Sequence, residues 1–285
     1  MKTLIYTPSG IRNENDAGAF RILKMMVAEL LSSRELVYRL FLRDFKARYR
    51  QSALGVLWAF LMPLVTVSMF LLLRDSGLVS VSGTGTGTPY PLYAITGLSI
   101  WGIITSGVNA AAASLVNAGS MVVKINFPKI ALILAACIQS MVDFFIRMAL
   151  IGGLFIYFGF YPSVPMAAWA LISLLPVMLL TFGLGCILSL VSVLFRDIGN
   201  ITNLGFTALL LVTPVLYPMR EGSVLARLNC WNPFNYLINV PRDLLLKGQT
   251  EDLYPFVLIS TLCLAISLLC WRFFHLAQTK ISERV

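Results

Sequence analysis

Apolar residues gather into six long stretches along this chain, at about 55–73, 92–116, 130–158, 167–195, 198–217 and 253–274. Each is close to the length an α-helix needs to cross hydrocarbon. The pattern predicts an all-α membrane protein with six transmembrane helices. The segment 34–51, just ahead of the first stretch, is built differently. At about 100° per residue, Arg39, Arg43, Lys46 and Arg50 fall on one stripe, and Val37, Tyr38, Phe41, Leu42, Phe45 and Tyr49 cover much of the rest. That is the signature of an amphipathic helix lying in the membrane surface, rings towards lipid and cations towards water or phosphate. Asp44 and Arg48 fall on the apolar side and interrupt the pattern. The plainer use of such a segment is a basic flank that fixes orientation.

The connecting segments complete a three-part division. Residues 1–33 form a polar N-terminal extension, expected to be mobile, with an apolar patch at 22–31 that adds a helical turn or two. The interface helix follows at 34–51, and the membrane domain occupies 52–285. Gly, Thr and Pro crowd 82–91 into a loop. Residues 117–129 make a short amphipathic loop carrying Lys124 and Lys129. In 218–252 the apolar piece 234–240 is too short to cross, which predicts an outer re-entrant or interfacial helical hairpin. The small-residue run 109–114 predicts close approach of another helix, and Pro176, Gly183 and Gly185 predict bend or packing points.

Charge orients this arrangement. Of 22 Lys and Arg residues, ten lie in 1–50, and sixteen fall on the side shared by both termini against four in the outer segment. The bias puts both termini of a multi-pass membrane protein in the cytoplasm. The net charge of +9 is therefore a matter of topology, with no nucleic-acid partner implied. A composition 58% hydrophobic and 12% charged exceeds what a soluble core can hide. No cleavable leader is expected, because the first apolar run begins too late.

Little in the chain points to catalysis. There is no Gly-x-x-x-x-Gly-Lys-Ser/Thr loop to bind nucleotide, and the single histidine, His275, falls at a membrane edge where a Ser-His-Asp set is not expected. The cysteines, four of them in apolar spans, show neither a disulfide framework nor metal-ligand spacing, and no cofactor is implied. Asp143 and Arg147 are opposite charges in mid-span, four residues apart. They predict an ion pair that orients its helix, or alternatively a proton relay or a contact to an anionic substrate. Trp58, Phe60, Phe70, Trp101, Phe182, Phe206 and Tyr217 offer rings on which sugar faces stack, although packing or lipid contact explains any one of them.

The residues Leu42-Arg-Asp-Phe-Lys-Ala-Arg-Tyr-Arg-Gln-Ser-Ala-Leu-Gly-Val-Leu-Trp-Ala-Phe-Leu-Met-Pro63 resemble the opening of the ABC-2 permeases that export polysaccharides. Asn126-Phe-Pro-Lys, Phe195-Arg-Asp-Ile and Trp231-Asn-Pro-Phe fit the same pattern, which covers about 34–275. The resemblance implies a transmembrane subunit, not itself an enzyme, that pairs with a second copy of itself and with a separate ATP-binding subunit. It implies a lipid-linked glycan as substrate: O-antigen, capsule or teichoic acid, with O-antigen favoured. On this view the 34–51 helix and the 117–129 loop contact the ATPase, and the 231–246 hairpin forms part of the exit. The candidate substrate contacts are Arg39, Arg43, Lys46 and Arg50 for a pyrophosphate, and Trp58, Phe60 and Phe70 for sugar. An ABC-2 permease for a drug or lipid, a membrane-embedded transferase and a secondary transporter are the competing readings.

Overall fold

The computed structural model describes residues 4–7, 10–13, 26–28, 30–50, 55, 57–75, 88–119, 127–217, 222 and 224–281. The Gly-Thr stretch at 83–87, most of the 117–129 loop with Lys124, and Arg220 and Glu221 lie outside them.

The N-terminal extension departs from the expected all-helical chain. Strands β1 (Leu4–Thr7) and β2 (Gly10–Asn13) pair antiparallel, Leu4 opposite Asn13 and Tyr6 opposite Ile11. Ile5, Tyr6, Thr7 and Ile11 are strand-favouring residues, which suits this pairing. Residues 26–28 and 30–32 are helical, as the apolar patch suggests.

Helix α1 (Arg34–Arg50) leads to α2 (Leu57–Asp75), which accommodates Pro63. Then come α3 (Tyr90–Ala118) and α4 (Ile130–Phe158), the latter ended by Gly159 at φ 63°. That left-handed position lets the Gly159 amide cap the carbonyls of Ile156 and Phe155, and glycine adopts it without steric cost. The next apolar stretch is split into α5 (Val164–Ile172) and α6 (Leu175–Leu194). Pro176 lacks an amide proton and sits in the first turn of α6, so the expected bend falls at 173–174.

Helix α7 (Ile198–Val212) is shorter than the predicted 198–217 span. Pro214 drives Thr213 to an extended conformation (φ −79°, ψ 137°) and stops the helix. Two short helices follow, α8 (Val224–Asn229) and α9 (Pro233–Leu246), neither long enough to span. Helix α10 (Leu253–Ile281) closes the bundle. By length and apolarity α3, α4, α5–α6 and α10 are able to cross a membrane, whereas α2 and α7 hold shorter apolar stretches, Phe60–Met69 and Ile198–Val212.

Helix α3 is the central post, packed against α2, α4, α6, α7 and α9. Its N-terminal part is buried on every side from Leu92 through Gly97, as a helix apolar all round must be. Close approach is made by small residues. A Cβ on Gly185 of α6 would stand 2.7 Å from Ala111 Cβ, within the predicted 109–114 run. A Cβ on Gly183 would meet Ser267 Cα of α10 at 2.9 Å, and one on Gly107 would meet Thr181 Cγ2 at 2.5 Å.

These contacts set a stability contrast. Gly183→Ala is expected to cost about 1–3 kcal/mol by forcing α6 off the α10 backbone. Gly205→Ala on α7 has open space around it and is expected to be neutral or slightly stabilising. Thermal unfolding of both variants in detergent checks the ordering.

Candidate functional site

The basic helix α1 is docked at one end of the bundle. Val37 and Leu40 are buried in a cluster with Ala131, Leu132 and Ala135 at the start of α4, with Leu36 and Phe41 partly covered beside them. The opposite face carries the predicted stripe. Arg39 is exposed and pairs with Glu35 at 2.6 Å, Arg43 is half-exposed and pairs with Asp44 at 2.8 Å, and Lys46 is exposed. The side chain of Arg50 lies outside the described residues. Such exposed pairs contribute little to stability, and they partly neutralise the stripe.

Of the two residues that interrupt the amphipathic pattern, Arg48 makes a tertiary ion pair. Arg48 reaches from α1 to Asp143 in α4, Nη1 to Oδ2 at 2.5 Å, and Gln139 Nε2 donates to Asp143 Oδ1 at 2.9 Å. The Asp143 side chain is 7% exposed and that of Arg48 43%, so the pair bridges a buried carboxylate to a cation at the rim. The intrahelical partner predicted for Asp143 is Arg147. The guanidinium of Arg147 packs against α3, where it fills the space a side chain at Gly102 would need. Sequence spacing identifies pairs within one helix; it has no means of finding one separated by 95 positions.

Beside this pair a cleft of about 280 Å³ opens between α1, α3 and α4, lined by Arg43, Asp44, Arg48, Ser114, Asn117 and Gln139 over an apolar floor that includes Leu132 and Ala136. At the same end Lys129 is buried and its Nζ donates to the Gln278 carbonyl at 2.8 Å, a cation placed at the last turns of α10. Burial pushes this ammonium below the ordinary lysine range.

The aromatic candidates do not gather into one lining. Trp58 is 46% exposed on α2, Phe60 is partly buried on the same helix, and the Phe70 side chain lies outside the described residues. Trp101 is a packing residue, edge-on to Phe206 at 5.9 Å and to Phe234 at 5.7 Å. Phe182 packs likewise on Trp271. Of the five predicted contacts whose side chains are described, Arg43 lines the cleft at the α1 end and the other four do not.

At the other end of the bundle a second polar network went unpredicted. Arg242 of α9 is 2% exposed, its Cζ 3.7 Å above the Tyr93 ring, and it donates to the carbonyls of Pro214 and Val215 at 3.1 Å each and to Asn239. Tyr90 donates to the Leu216 carbonyl at 2.8 Å, and Asn229 to that of Val212 at 2.8 Å. Asn232 donates to Thr213 Oγ1 and, as the N-cap of α9, accepts from the Phe234 amide. The segment unwound by Pro214 thus finds side-chain donors for the carbonyls that helix geometry leaves open. The Asn-Pro pair at 232–233 is a legible helix start; the long reach of Arg242 is not.

A family model described as the ABC-2 type transporter matches residues 35–246. The chain is 25% identical over 268 residues to the O-antigen export system permease protein RfbA of Myxococcus xanthus, covering 91% of this chain and 99% of that one. It is 24% identical over 225 residues to a Klebsiella pneumoniae protein of the same description, covering 77% and 83%.

Two outcomes follow from the buried charges. A double-mutant cycle of Arg48→Gln and Asp143→Asn, read by thermal unfolding, should give a coupling of about 1 kcal/mol, since the arginine is solvated. Arg242→Met strands carbonyls that now have a donor and should cost about 2–4 kcal/mol, more than removing any cation of the exposed stripe.

Proposed function

The chain belongs to the ABC-2 type transporter family, and on that footing we propose that it is the permease subunit of an exporter for a lipid-linked polysaccharide of the O-antigen kind. The observation that carries this reading is the similarity to O-antigen export permeases along nearly the whole of both chains. The absence of a P-loop motif from the sequence supports a separate ATP-binding subunit as the source of power.

In the proposed assembly two copies of the chain, each with six spans, enclose the passage in the inner membrane. The stretches containing α2 and α7 complete the count that the four longer helices begin. The excess of Lys and Arg on the side of both termini supports their cytoplasmic placement, with α1 at the inner rim. The α8–α9 pair is then the outer re-entrant hairpin, its irregular backbone tolerated because Arg242, Asn229 and Asn232 satisfy it.

The mechanism follows from how α1 is attached. A helix bonded to the bundle through Val37, Leu40 and the Arg48–Asp143 pair transmits a push from the ATPase into α4 rather than sliding over it. Differential contact of α1 with two ATPase states is what biases the gap between the two permease copies. Arg39, Arg43, Lys46 and Arg50 line the rim as the basic surface an anionic headgroup meets first, each worth roughly 1 kcal/mol near an anionic surface. Trp58, Phe60 and Phe70 are the proposed sugar-contacting rings on α2.

The test is biochemical. The purified chain alone should hydrolyse no ATP, should co-purify with the product of an adjacent ATP-binding gene, and its deletion should leave lipid-linked glycan accumulated on the cytoplasmic side. Nucleotide hydrolysis by the isolated chain, or a deletion strain with normal surface glycan, contradicts the proposal.

A further inference from the structure

Gln139 is 3% exposed and lines the cleft at the α1 end, and its amide orientation is set by Asp143. Because Nε2 donates to the carboxylate, Oε1 is the atom left to accept, and this buried oxygen has no hydrogen-bond partner among the described residues. A buried acceptor left open has room for a donor that the described residues do not supply. Arg48 lines the same cleft with one nitrogen on Asp143 and its side chain 43% exposed, and its remaining guanidinium donors suit an anionic oxygen. Asn117 lies exposed on the same cleft, and Leu132 and Ala136 give it an apolar floor. The three features together specify a ligand: an anionic oxygen, a hydroxyl beside it and an apolar stem.

We propose that this cleft is a headgroup site for a membrane-anchored phosphate ester with a neighbouring hydroxyl, the phosphate on Arg48 and the hydroxyl donating to Gln139 Oε1. The glycosyl phosphate end of a lipid-linked glycan has this chemistry, and so has phosphatidylglycerol. Choosing the glycan rests on the export function proposed above; the site itself does not.

The site is tested with the full-length chain in phosphatidylcholine nanodiscs, titrated with three probes and read by native mass spectrometry. The probes are a polyprenyl diphosphate bearing one galactose, the same polyprenyl diphosphate without sugar, and phosphatidylglycerol. Arg48→Gln should weaken every phosphate probe by about tenfold, and Gln139→Met should remove a preference of about tenfold for the hydroxyl-bearing probes. Asn117→Ala, on the rim and away from Asp143, should weaken the sugar-bearing probe by about threefold and guards against misfolding of the Gln139 variant. Gln139-dependent binding of phosphatidylglycerol with no binding of the sugar probe supports the site and removes the glycan. Sugar-probe binding that all three substitutions leave unchanged overturns the site and leaves the export reading standing. No binding of any probe also overturns it.

Discussion

A carboxylate in the apolar interior of a helix bundle must be held by donors that the protein itself provides, and Asp143 meets that requirement by drawing in a second helix. Its partner Arg48 is carried by α1, the one helix too charged to enter hydrocarbon. The ion pair therefore fixes where the surface helix ends and the bundle begins. With Val37 and Leu40 wedged against α4, it makes a charged amphipathic helix part of the bundle's frame. The same rule governs the other end, where the backbone beyond α7 leaves helical geometry and Arg242, Asn229 and Tyr90 supply the missing donors.

Both solutions depend on α3. Its glycines are placed where other groups must touch its backbone: Gly97 beneath Arg242 and the Val215 carbonyl, Gly102 beneath Arg147, Gly107 beneath Thr181 and Ser140. A side chain at any of these positions would occupy space already filled. Small residues thus let α6 and α4 pack tightly and also let polar side chains reach a helix that is otherwise hydrophobic. In the proposed exporter this makes α3 the stationary post and leaves α1 and α9, at opposite ends, as the elements attached by polar contacts.

The sequence is most informative where local physics decides the outcome. Hydrophobic runs place the long helices to within a few residues, Pro176 marks the break between α5 and α6, and Gly183 and Gly185 mark close packing. The end of α7 is misjudged because hydropathy continues past Val212, while Pro214 has already removed the helix. The strands at 4–7 and 10–13 are hidden by the polar residues around them. The functional rim shows the limit most clearly. Asp44 and Arg48 look like faults in the amphipathic pattern of α1, and only the cleft they line and the long-range partner of Arg48 give them a place in the fold.

The central claim is that α1 is mechanically part of the bundle, joined to α4 through Asp143, and not a helix merely resting on lipid. Amide hydrogen exchange of Asp143→Asn in nanodiscs tests it most directly. Exchange over residues 40–50 should quicken by about tenfold or more while α3 and α6 keep their protection. Unchanged exchange in α1, or a loss of protection spread evenly over every helix, would show that the pair does not hold the helix in place.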